Sequence, residues 1–163
     1  MLLIFLVVFI GMIGGLLMLY STEIPDTVTS GQMQSILAEY GLEPADATAN
    51  ADDSMLQAGL KTCLIAAKDD LRIEFYSFDN QDAALKVYRE AYKQIITTKM
   101  AAPRIQIRTG KFNYKFYSLD ADGTYSVVVY VKNTAVYAYC NSENKQFLND
   151  ILFEMGYISA EKQ

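Results

Sequence analysis

The chain has 163 residues and 18.3 kDa, is 52% hydrophobic and 20% charged, and carries a formal net charge of −5. That length holds one domain of about 100–150 residues plus an attachment, and the composition excludes a disordered, collagen-like or disulfide-stapled chain. A pI near 4.7 argues against nucleic acid, whose phosphates are met by Lys and Arg; the absence of histidine removes Ser-His and Cys-His nucleophiles and His-ligated metals.

Residues 1–20 contain no charged side chain and no Pro. As a helix they reach about 30 Å, the thickness of bilayer hydrocarbon, and Tyr20 ends the run where an amphipathic ring sits at the headgroups. A cleaved signal peptide has a basic start and a small-x-small site. Here no basic residue precedes Lys61, and Leu19-Tyr20-Ser21 is a poor cleavage match. No Cys follows the run to form a lipoprotein box. The segment therefore reads as an uncleaved single-pass signal-anchor in a cell membrane, with the following domain outside the cytoplasm, as is usual for that arrangement. Gly11 and Gly15 have the spacing of a transmembrane dimer face, although glycine is common in membrane helices and such a pair also arises by chance.

Residues 21–27 form a juxtamembrane linker, 28–158 the extracytoplasmic domain, and 159–163 a tail. Thr29 to Tyr40 reads as a helix: Thr29 and Gln32 fit a capping box, Val28 and Met33 a hydrophobic staple, and Gly41 a C-terminal stop. The run 43–59, with Pro44 and many Ala, Asp, Thr and Asn residues, reads as a flexible loop.

From Leu60 the pattern becomes β. Leu60–Ala67 and Leu71–Phe78 flank a turn at Lys68-Asp69-Asp70, and a helix follows with Asp79 as N-cap and Leu85, Tyr88, Tyr92, Ile95 and Ile96 facing inward. Arg104–Arg108, Lys111–Leu119, Thr124–Lys132 and Ala135–Cys140 read as strands, with turns at Asp122-Gly123 and Asn133-Thr134. A last helix carries Phe147, Leu148, Ile151, Leu152 and Met155 and stops at Gly156. Ile36-Leu37-Ala38-Glu39-Tyr40-Gly41 echoes Ile151-Leu152-Phe153-Glu154-Met155-Gly156, which admits two strands-then-helix units. The expected fold is α+β: an antiparallel sheet of about five strands with two or three helices on one face.

Ile65 to Asp70, Ile73 to Phe78 and the helix from Ala83 to Tyr88 resemble small uncharacterised extracytoplasmic α+β domains of Gram-positive bacteria, carried behind a membrane anchor or a lipoprotein signal. The resemblance spans about residues 28–98, with Leu42 where a Tyr is more usual. It implies a location and a fold, and no activity or catalytic residues. Type IV pilins also join an apolar helix to an α+β head, but this chain lacks their basic leader and early acidic residue.

No catalytic, metal-binding or cofactor-binding residues are assigned, and no cofactor is expected. Cys63 and Cys140 read either as a disulfide worth about 4 kcal/mol or as two buried thiols. Asp120-Ala121-Asp122-Gly123 opens like a calcium loop but runs straight into a strand, so a turn is the better reading. Lys115, Ser118, Asp120 and Asp122 form the tight polar cluster a hydrolase would need.

Charge is divided along the chain. Residues 21–60 hold seven carboxylates and no Lys or Arg, whereas 86–115 hold eight basic residues and Glu90 alone. Arg104, Arg108, Lys111 and Lys115 are candidates for an anionic-partner surface; the same residues are equally accounted for as a solvated face or one lying on the chain's own acidic segment. Tyr114, Tyr130, Tyr137 and Tyr139 are candidates for an aromatic platform, or for sheet packing. The expected role is a membrane-anchored, non-enzymatic domain that binds a protein or anionic partner at the cell envelope; an accessory subunit of a larger membrane complex and a Ser/Lys or carboxylate hydrolase are the alternatives.

Overall fold

The computed structural model describes residues 25–98 and 104–159. The expected anchor, with Gly11 and Gly15, and most of the tail lie outside the described residues, among which no helix is long and apolar enough to cross a membrane.

The described residues open with α1 (Ser30–Glu39), followed by β1 (Ala45–Asp46), a 3-10 turn and the short α2 (Asp53–Gln57). The hairpin β2 (Leu60–Lys68) and β3 (Leu71–Phe78) leads into α3 (Gln81–Thr98). A meander of β4 (Arg104–Lys111), β5 (Tyr114–Ala121), β6 (Thr124–Val131) and β7 (Thr134–Asn141) ends in α4 (Lys145–Glu154). All pairings are antiparallel in one seven-stranded sheet of order β1-β2-β3-β7-β6-β5-β4. The α+β expectation holds, with seven strands among the described residues in place of about five: the six runs read as strands all pair, and β1 adds a seventh.

Helices cover both faces of the sheet, not one. On one face Met33 and Leu37 of α1 and Leu148, Ile151 and Leu152 of α4 pack on Ile73, Phe75, Val127, Val129, Val136 and Ala138. On the other, Ala84, Tyr88, Ala91 and Ile95 of α3 pack on Tyr117, Leu119, Val128 and Tyr130. The reason is topological. β3 and β4 are not neighbours, so the connection through α3 crosses the sheet and occupies a face that α1 and α4 leave uncovered. The strands record it: every residue of β6 after Thr124 is buried, a run continuous rather than alternating because both sides are covered. With α3 and α4 on opposite faces, the two strands-then-helix units are not copies of one arrangement.

Local signals explain the helix ends. In α1 the Thr29 hydroxyl accepts from the Gln32 N–H at 3.2 Å and the Gln32 side chain accepts from the Thr29 N–H at 2.9 Å, a complete capping box. Both α1 and α4 end in the same way: Gly41 and Gly156 have φ +71°, and Leu42 and Tyr157 each donate back to Leu37 and Leu152 at 2.9 Å. The sequence echo is thus a shared helix stop. The cap of α3 is Asn80, whose Oδ1 accepts from Ala83 N at 2.9 Å. Asp79, the expected cap, pairs instead with Lys61 at 2.7 Å.

The run 43–59 was expected to be a loop and carries β1, the 3-10 turn and α2. Small polar residues tie it to β2: the Thr48 hydroxyl accepts from Cys63 N at 2.9 Å, and Ala47 N donates to Cys63 O at 2.8 Å. The turn expected at Asn133-Thr134 lies one residue earlier, with Lys132 at φ +51° and Thr134 already paired with Val131.

Candidate binding surface around helix α3

Helix α3 lies along its sheet face and leaves a different chemical surface on each flank. The flank toward β4 is basic and aromatic. Alternation in β4 places Gln106 and Arg108 on the α3 side, opposite Leu119 and Tyr117 of β5. The Arg108 guanidinium lies 5.3 Å from the centroid of the Tyr92 ring, within cation–π range. Tyr92 meets Tyr117 edge-on at 4.7 Å and stacks with Tyr88 at 6.3 Å. Burial pushes the Tyr88 hydroxyl up to about 12, opposed by the nearby Arg108 charge. Arg89, three positions from Tyr92, shares its helix face and acts electrostatically on Tyr130, and Lys115, opposite Tyr130, faces the same side.

The flank toward β3 and β7 is a cleft of about 330 Å³ between α2 and α3. Its floor is the period-2 row Arg72, Glu74 and Tyr76 of β3, with Tyr139 opposite Arg72 and Tyr137 opposite Glu74 on β7. The Glu74 carboxylate accepts from Arg72 Nε and from the Tyr76 hydroxyl, both at 2.6 Å. That bond holds the Arg72 guanidinium above its usual range, and burial followed by the Glu74 bond raises Tyr76 strongly. The Tyr137 and Tyr139 rings are 5.8 Å apart and tilted by 50°. Met55, Val87, Glu90, Ala91 and Gln94 complete the walls.

These positions revise the candidate residues. Arg108 and Lys115 lie on the α3 side, but Lys111, opposite Tyr114, is on the other face, so the four basic residues do not form one row. Arg104 opens β4 opposite Ala121; its side chain lies outside the described residues. The four tyrosines do not form one platform either. Tyr114 is buried on the α1/α4 face, donating its hydroxyl to Tyr157 O at 2.9 Å, and Tyr130 is buried beneath α3 at 2% exposure. Tyr137 and Tyr139 do come together, with Arg72, Glu74 and Tyr76 as partners that sequence reasoning had passed over. The signal was present in the alternation Leu71-Arg72-Ile73-Glu74-Phe75-Tyr76, but nothing local shows that β3 lies near the middle of the sheet.

The hydrolase cluster does not assemble. Lys115 faces α3 while Ser118 and Asp120 face α1 and α4, and Asp122 occupies the β5–β6 turn at φ +52°. Asp120 accepts instead from the Ser142 hydroxyl at 2.5 Å and pairs with Lys145 at 3.4 Å. Lys145 in turn lies 4.8 Å from the Tyr125 ring, and the Tyr125 hydroxyl donates to Asn149 at 3.0 Å. These contacts hold the start of α4 on the sheet. Cys63 and Cys140 are both free and buried and sit on opposite faces of the sheet, so they cannot pair. Among the described residues no group of three acidic or Cys side chains could hold a metal ion. A wider groove of about 820 Å³ between the starts of α1 and the end of α4 begins at Asp26, beside the limit of the described chain.

No family model and no curated protein matches the chain. The chain is similar to the extracellular domain of PknH from Mycobacterium tuberculosis, at 10% identity over 81% of this chain and 93% of that one, with a TM-score of 0.36. At that score the likeness carries no argument about function.

Proposed function

We propose that the protein is a membrane-anchored, non-enzymatic extracytoplasmic domain that binds an anionic partner at the cell envelope through the β4 flank of α3. The observation that supports it is the convergence of Arg108 and Lys115, from two strands, with Arg89 of α3 around the Tyr88–Tyr92–Tyr117 cluster and Tyr130. A guanidinium held over a ring is positioned before a partner arrives, which lowers the entropic cost of meeting an anion. The apolar run 1–20 supplies the tether in this reading.

The test uses the full chain in phosphatidylcholine nanodiscs and measures its capture of phosphatidylglycerol-containing vesicles at low and physiological salt. Arg108→Ser with Lys115→Ser is expected to reduce capture about tenfold, with the salt dependence of surface charge. Lys111→Ser, on the other face, is expected to leave capture unchanged. Equal capture by the double variant and the unaltered chain rejects the proposal.

A further inference from the structure

The polar cleft on the opposite flank of α3 has no role in that reading. Strands in the middle of a doubly covered sheet are expected to be apolar on both faces, as β6 is. β3 and β7, the third and fourth of seven strands, break this rule on one face and at one level. Arg72, Glu74, Tyr76, Tyr137 and Tyr139 stand there together. All five are half-buried, with the Arg72 and Glu74 side chains 36% and 16% exposed, so the pair is open to solvent on the cleft side. A partly desolvated ion pair is a poor stabilising device, and this one departs from the sheet's apolar pattern, as functional sites do. The cleft volume of about 330 Å³ lies at the lower end of the range of about 300–1,000 Å³ for ligand clefts.

The chemistry narrows the ligand. Arg72 and Glu74 neutralise each other at 2.6 Å, with Glu74 also engaged by Tyr76, so the floor is polar without being a charge trap. The remaining carboxylate, Glu90, is 62% exposed at the rim with Lys86 at 4.0 Å. An ion has no desolvated counter-charge to meet. Hydroxyl groups, which both donate and accept, match a floor of guanidinium, phenol, carboxylate and amide. The tilted Tyr137 and Tyr139 rings offer apolar faces for the C–H side of a pyranose. We infer that this cleft binds a neutral polyhydroxylated ring, a single saccharide unit, independently of the basic flank.

The experiment is saturation-transfer NMR on the full chain in phosphatidylcholine nanodiscs, with methyl β-N-acetylglucosaminide, methyl α-glucoside and tetramethylammonium as probes. Saturable transfer to at least one glycoside is expected. Tyr139→Ala and Gln94→Ala should each weaken it at least fivefold, and Tyr139→Phe, which keeps the ring, should weaken it less than Tyr139→Ala. Arg108→Ser with Lys115→Ser should leave it unchanged, so failure of the anionic-partner proposal and failure of this one are separate results. Absence of transfer to both glycosides, transfer unaltered by Tyr139→Ala and Gln94→Ala, or tighter binding of tetramethylammonium than of either glycoside overturns the inference.

Discussion

Burial sets the chemistry of individual side chains here. It pushes the Cys63 thiol up to about 11 and Cys140 up to about 12, with nearby carboxylates adding to both. The thiolate is the nucleophile, so neither cysteine should react with iodoacetamide at pH 8 in the folded protein, and both should react in denaturant. Modification of either in the native state, read by intact mass, contradicts the buried placement. The Tyr88, Tyr114 and Tyr157 hydroxyls are likewise pushed up to about 12, burial being the main cause. The unfolded chain loses these thiol and phenol protons from about pH 9–10 upward, whereas the folded chain holds them until about pH 11–12. Between those limits the unfolded state binds fewer protons, so stability falls as pH rises. The urea midpoint should therefore be flat near neutrality and drop steadily above about pH 9; a midpoint that rises through that window refutes the assignment.

Helix boundaries were the most legible elements, because their signals are local. The capping box Thr29–Gln32 and the stops at Gly41 and Gly156 depend on neighbouring residues alone. Thr29→Ala should cost about 1 kcal/mol in urea unfolding. Gly156→Ala should cost a similar amount, about 1 kcal/mol, from the positive φ, since a Cβ there meets nothing within 4 Å. The inward stripe of α3 was less legible. Tyr88 and Ile95 are buried as expected, but Leu85, Tyr92 and Ile96 are only half-buried, and Ala84 and Ala91 lie at the contact. A hydrophobic count favours large side chains, whereas close approach of a helix to a sheet favours small ones. Ala84→Leu should accordingly destabilise by about 1–3 kcal/mol through overpacking; a neutral result would place α3 farther from the sheet.

At the scale of the whole molecule, sequence pattern identified every strand but β1 and offered no strand order. The alternation in β4 puts Gln106 and Arg108 on one side, but which helix lies on that side follows from the route of α3 across the sheet. The same route explains why Lys111 and Tyr114 left their proposed clusters, and why Lys115 is separated from Ser118 and Asp120 by the thickness of the sheet. The polar cleft was illegible for a related reason, since Arg72 and Tyr139 are far apart in sequence and become partners only when β3 pairs with β7. In the function proposed above, the anionic partner is recognised on the α3 side. Amide chemical shifts of the full chain in phosphatidylcholine nanodiscs, recorded as phosphatidylglycerol is added, test it most directly. Salt-sensitive shifts concentrated in α3, β4 and β5 are predicted; shifts confined to α1 and α4 would contradict it.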